Sequence, residues 1–190
     1  RTSAMIHING ENHVIDSGPD FRSQMLREKV KTLKSIVFTH EHKDHIAGLD
    51  DVRAFNFKEK REMNVYASQR VQKALNREYQ YIFAEVKYPG IPKINLSTID
   101  NEPFEIDEGI QITPIQVMHY KLPVFGFRIG DLTYITDAKT ISKKEREKIE
   151  GSHTIVLNAL RKEPHMSHFN LEEALEFIDE IKPKKAYLTH

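Results

Sequence analysis

Short apolar runs recur along the chain, separated by polar turns, and between them lie stretches whose apolar residues fall at helical spacing. SAMIHI and HVIDSG flank NGEN, a turn signal that predicts a β-hairpin over residues 3 to 17, with Asp16 at the end of its second strand. FRSQMLREKV reads as a short helix with Phe21, Met25 and Leu26 inward, and SIVFT as a buried strand. Residues 46 to 57 predict one helix, and SQRVQKALNREY predicts another with Ser68 as its N-cap. Between 86 and 100 the pattern fades. IQITPIQVMH, VFGFRIG, LTYITD and TIVLNAL then predict four strands, and NLEEALEFIDEIK an amphipathic helix with Asn170 and Glu173 spaced as a capping box. KKAYLTH closes as a strand. Strands in two groups with helices interspersed predict an α/β fold of two sheets packed face to face with helices outside. No repeat, low-complexity tract or linker divides the chain, so residues 1–190 read as one domain.

Composition narrows the function. With 39% hydrophobic residues, 190 positions suffice to bury one core. Lysine plus arginine and aspartate plus glutamate both total 28, so no excess of base awaits a nucleic acid or an anionic membrane. A small-molecule ligand is the expectation, and a homodimer is compatible with the chain. Cysteine is absent, which leaves any metal to histidine and carboxylate. No stretch reaches the ~20 apolar residues of a membrane span, and no signal core is visible, so the chain reads as cytoplasmic. It opens at RTSAMIHI without an initiator methionine and stops at His190 after a strand-like run, and both ends read as cut.

FTHEHKDHIAG, residues 38 to 48, concentrates ionisable groups directly after the apolar IVF. A strand that ends in a tight turn brings His40 and His42, two apart, to the same side, where both imidazoles can reach one cation. Asp44 and His45 can reach a second. The pattern H-x-H-x-D-H is the signature of the metallo-β-lactamase superfamily of hydrolases, and HEHKDH resembles it closely. The family's other stations follow in order at predicted strand ends: Asp16 in VIDSG, His119 in VMHYKLPVFGF, Asp137 in YITDA, and His190 last.

The resemblance implies a four-layer αβ/βα sandwich of two mixed sheets flanked by helices. It also implies two divalent ions, zinc, manganese or ferrous iron. His40, His42 and His119 would hold the first, Asp44, His45 and His190 the second, and Asp137 would bridge them. Asp16 would orient a ligand histidine. The segment from IVLNAL to YLTH resembles the PhnP-like branch, the phosphodiesterases that act on phosphoribosyl cyclic phosphate. By that likeness His168, just ahead of NLEEAL, would assist the leaving group, with the ligand carboxylates Asp44 and Asp137 completing the reacting set. Arg161, Lys121 and His165 are the candidates for substrate phosphate; Arg161 is equally readable as a surface residue, and Lys121 reads more readily as a solvated one. The implied reaction is attack of metal hydroxide on a small cyclic phosphate ester. Against the family pattern, the opening strand with its TGTG-like loop and everything after His190 are missing. A tRNase Z-like endonuclease, a glyoxalase-like thiolester hydrolase and a noncatalytic metal-binding module remain as alternatives.

Overall fold

Asn9 and Gly10 both take left-handed backbone, at φ 52° and 81°. This is the two-residue turn whose twist suits a hairpin, and it joins strands β1 (Ala4–Ile8) and β2 (Glu11–Ile15) with Ile8 opposite Glu11. In the computed structural model, which describes residues 3–86, 88–107 and 109–190, this hairpin opens the first of two compact units, Arg1–Ile99 and Asp100–His190.

In the first unit, β3 (Ser35–Val37), β4 (Met63–Ala67) and β5 (Ile94–Thr98) follow β2 in parallel, giving a five-stranded sheet in sequence order. The crossovers carry helices α1 (Phe21–Arg27), α2 (Lys43–Ile46), α3 (Arg53–Glu59), α4 (Gln69–Glu78) and α5 (Gln80–Phe83). Every residue of β3 is buried, as expected of a central parallel strand covered on both faces. Val14, Phe21, Ile36, Phe38, Leu49 and Val65 build the core around it. Each such side chain contributes about 1.5–3 kcal/mol by leaving water. Ser68 caps α4 as expected, its hydroxyl accepting from the Val71 N–H.

Two expectations change here. Leu26 does not face inward: it is 69% exposed, because a helix of two turns buries the i, i+4 pair Phe21 and Met25, and Leu26 stands one position further round. The single helix expected over 46 to 57 is three elements, α2, a 3₁₀ turn at Leu49–Val52, and α3. The break falls at Gly48, whose N–H bonds the Ser17 carbonyl at 2.7 Å instead of extending the helix. β5 lies in the stretch where the apolar pattern fades, and β4 is not among the strands the pattern predicts, although MNVYA alternates buried and half-buried residues.

The second unit holds β6 (Phe104–Asp107), β7 (Ile110–His119), β8 (Leu122–Ile129), β9 (Leu132–Ile135), β10 (Thr140–Ile141), β11 (Thr154–Asn158) and β12 (Lys185–Thr189). Their order is β10-β7-β8-β9-β11-β12, with β6 also on β7. The β7-β8-β9 meander is antiparallel, and β11 and β12 join in parallel. Helices α6 (Lys143–Glu147) and α7 (Leu171–Ile181) complete it. Ile115, Val117, Ile135, Leu157 and Phe177 form a separate core. The capping box is present: Asn170 accepts from the Glu173 N–H, and the Glu173 carboxylate accepts from the Asn170 N–H. No helix among the described residues is long and apolar enough to cross a membrane.

Candidate metal centre

In the first unit the site begins where β2 ends. Asp16 is fully buried and adopts φ 61°, a left-handed conformation that costs energy for a residue with a side chain. Its carboxylate is held by three donors: the Thr39 N–H on Oδ1 at 2.8 Å, and the Thr39 hydroxyl and His45 Nδ1 on Oδ2 at 2.8 and 2.7 Å. The loop after Asp16 packs against the turn that carries Asp44 and His45. A Cβ on Gly18 would lie 2.2 Å from the Asp44 carbonyl oxygen, and one on Gly48 would lie 2.3 Å from the Gly18 carbonyl oxygen. The Ser17 N–H bonds the His45 carbonyl at 2.8 Å, closing the same interlock.

This network sets the histidine tautomers. Because the Asp16 carboxylate can only accept, the Thr39 hydroxyl spends its proton there and must itself accept from His40 Nδ1, 2.9 Å away. His45 likewise gives its Nδ1 proton to Asp16. Both rings therefore turn a deprotonated Nε2 outward, the form that binds a cation, with the outer hydrogen bond fixing the ring's orientation. His40 Nε2 stands 3.0 Å from His42 Nδ1, and His45 Nε2 stands 3.4 Å from Asp44 Oδ2. Nitrogen ligands around one tetrahedral zinc stand roughly 3.3–3.4 Å apart. The His40–His42 and His45–Asp44 pairs each stand near the separation of two donors on one ion.

In the second unit His119 ends β7 and donates from Nδ1 to the Ser167 carbonyl at 2.9 Å, which again leaves Nε2 as the ligand atom. Asp137, two residues past β9, takes φ 56° and is buried. Its Oδ2 accepts from the Thr136 hydroxyl at 2.6 Å, and its Oδ1 lies 2.9 Å from His168 Nε2 and 3.5 Å from His190 Nε2. His119, Asp137 and His168 offer ligand atoms that all lie within 4.8 Å of one another, so His168 is geometrically a ligand candidate.

Sequence reading missed the residues that hold this half in shape. The buried Asn158 amide clamps Ala138 at both ends, accepting from its N–H at 2.8 Å and donating to its carbonyl at 3.0 Å, and so fixes the turn at Asp137. Lys139 donates to both oxygens of Glu173, at 2.6 and 2.8 Å, tying that turn to the cap of α7. A polar residue closing the apolar strand TIVLN was the one available signal for Asn158.

The candidate phosphate contacts are placed as follows. His165 Nδ1 lies 3.1 Å from His168 Nδ1. Desolvation first, then the neighbouring His168 and Arg161, hold its pKa below the usual histidine value. Arg161 donates to the carbonyl oxygens of Glu163 and Pro164, at 3.4 and 2.9 Å, within its own loop. Lys121 is exposed in the β7-β8 turn, its ammonium 5.3 Å from the centre of the Tyr120 ring.

The sequence pattern of the beta-lactamase superfamily domain matches residues 11–190. A crystal structure of a diphosphatase from the PhnP family is 33% identical and superposes with a TM-score of 0.91 over all of this chain and 73% of its own. The short form of human tRNase Z, 18% identical, superposes with a TM-score of 0.76 over all of this chain and 85% of its own, which shows a shared fold. A curated protein of Porphyromonas gingivalis (strain ATCC BAA-308 / W83), named octanoyltransferase, is 35% identical over 193 residues. The match takes in the whole of this chain, which spans 39% of that relative's length.

Proposed function

The chain belongs to the metallo-β-lactamase superfamily, on its PhnP branch, and from that premise we propose that it is a dinuclear metal-dependent phosphodiesterase cleaving a small cyclic phosphate ester. Bound divalent ions supply a water acidified to near neutrality and a Lewis acid for the phosphoryl oxygen. His40, His42, Asp44, His45, His119, Asp137 and His190 are the proposed ligands. Thr39 and Asp16 hold the protons of His40 and His45 on the nitrogens that face away from the ions.

His168 carries the reading of mechanism. Its arrangement is the reverse of His40, His45 and His119: Nε2 faces the Asp137 carboxylate at 2.9 Å, so the proton sits on Nε2 and the ring can deliver it to a departing alkoxide. In the imidazolium, the form that gives up its Nε2 proton and is left neutral, Nδ1–H donates to the Ser167 hydroxyl at 3.0 Å, and His165 Nδ1, which accepts from the Ser167 N–H, lies 3.1 Å away as a further acceptor. The name of the PhnP-family relative favours a second reading, hydrolysis of a diphosphate linkage, which the same groups would serve.

The test is turnover of bis(p-nitrophenyl) phosphate, 2′,3′-cyclic nucleotides, a dinucleoside diphosphate and an acyl thiolester by metal-loaded protein. Phosphodiester turnover, lowered about 10²–10⁴-fold in His168→Ala with metal content unchanged, is the expected result. Turnover of the diphosphate alone selects the second reading. Loss of metal from His168→Ala makes that residue a ligand, and turnover of the thiolester alone overturns both phosphate readings.

A further inference from the structure

The first unit carries a groove of about 600 Å³ between α1 and α3 that contains none of the proposed metal ligands. Its floor is part of the core: the Phe21 and Phe55 rings meet at 6.4 Å, with Met25 beside them. Its walls are apolar side chains left in water, Leu26 on α1 and Phe57 on α3, 69% and 89% exposed. Scattered exposed apolar residues need no explanation, but two facing each other across a concave apolar floor form one surface.

The rim is basic. Arg22 precedes Leu26 by one helical turn on α1, and Arg53 precedes Phe57 by one turn on α3, so each wall presents an arginine and an apolar residue on one face. Lys58 donates to the Lys31 carbonyl at 2.9 Å, which holds two more cations on the edge. The one acid in the lining, Asp51, lies 3.9 Å from Arg22. Lysine plus arginine and aspartate plus glutamate balance at 28 each over the chain, so this excess of base is local.

We propose that this groove docks an acidic amphipathic helix of a partner protein, apolar face on Leu26 and Phe57 over Met25 and Phe55, carboxylates toward Arg22, Lys31, Arg53 and Lys58. An apolar floor between residues of two short helices suits a third helix, the helix-in-groove mode of recognition. Cations spread around the rim match a row of carboxylates better than a single anionic head. The concavity disfavours a flat lipid surface.

The probe is a fluorescein-labelled, end-blocked peptide of about 14 residues, with leucine at helical spacing and glutamate on the flanks. Its control replaces every glutamate by lysine. The acidic peptide is expected to bind, at least about tenfold more weakly to Phe57→Ser and to Lys58→Glu, and more weakly as salt rises. Both side chains are at the surface and outside the proposed ligand set, so turnover of both variants should match the parent and certify their folding. Equal binding of the two peptides, no binding, or no loss in either variant overturns the proposal. So does self-association abolished by Phe57→Ser without peptide binding, which assigns the groove to a second copy. Sedimentation with phosphatidylcholine–phosphatidylglycerol vesicles without peptide binding assigns it to a membrane instead.

Discussion

Thr39 shows how much a single hydroxyl can determine. It sits at 2.8 Å from Asp16 and 2.9 Å from His40, and its one proton can serve only one of them. Replacing it by valine keeps the shape, removes the acceptor for His40 Nδ1–H, and leaves the ring without its orienting hydrogen bond. Thr39→Val is expected to weaken metal affinity about 10–100-fold while the fold persists, read by competition with a chromogenic chelator. An unchanged affinity would mean that the tautomer is fixed some other way. The HEHKDH cluster was legible because its donors are neighbours in sequence. Thr39 was not, since its role depends on Asp16, 23 residues away. Asn158 was hidden similarly, because a strand-terminal asparagine gains meaning only once Ala138 is placed against it.

Among the elements, strand ends and the long periodic helix were readable, whereas the region from 46 to 57 was not. There hydrophobic spacing favoured one helix, and tertiary contact at Gly48 overrode it. Gly18 makes the same contact from the other side. Gly18→Ala would press a Cβ against the Asp44 backbone, which cannot rotate away as a side chain could. The expected cost is about 2 kcal/mol or more, with metal affinity falling in parallel. Wild-type urea unfolding and affinity would refute the interlock.

A second test at this scale concerns α6. Glu145 is buried at 5% exposure and accepts from the Asn101 amide at 2.8 Å and the Gln116 N–H at 2.9 Å, with Lys148 at 2.8 Å. Desolvation raises its pKa, but these donors together outweigh it and hold the carboxyl below its ordinary value of 4.5. A carboxyl lowered in the native state stabilises the fold above its unfolded pKa, and that contribution is lost as pH falls through the native value. Glu145→Gln should therefore be less stable by about 1–2 kcal/mol at neutral pH. The gap should narrow as pH falls below the carboxyl's ordinary value of 4.5. A gap that stays constant or widens toward acid contradicts the assignment.

At the scale of the whole molecule, two sheets, two apolar cores and a run of buried polar groups at strand ends explain why so much was legible. Cores follow from alternation and apolar runs, and the acids and histidines stand where those runs stop. The strained backbone at Asp16 and Asp137 lies outside what a hydrophobic pattern encodes, because it is imposed by partners distant in sequence. The chain spans about two fifths of the length of the curated relative named octanoyltransferase. The most direct measurement is bis(p-nitrophenyl) phosphate turnover by chelator-stripped protein as zinc or manganese is added back, with bound metal determined on the same samples. The account predicts no turnover in the stripped protein and recovery that saturates near two ions per chain. Turnover that survives stripping, or a chain that binds its metal and remains inert to every phosphate ester and anhydride offered, would contradict it.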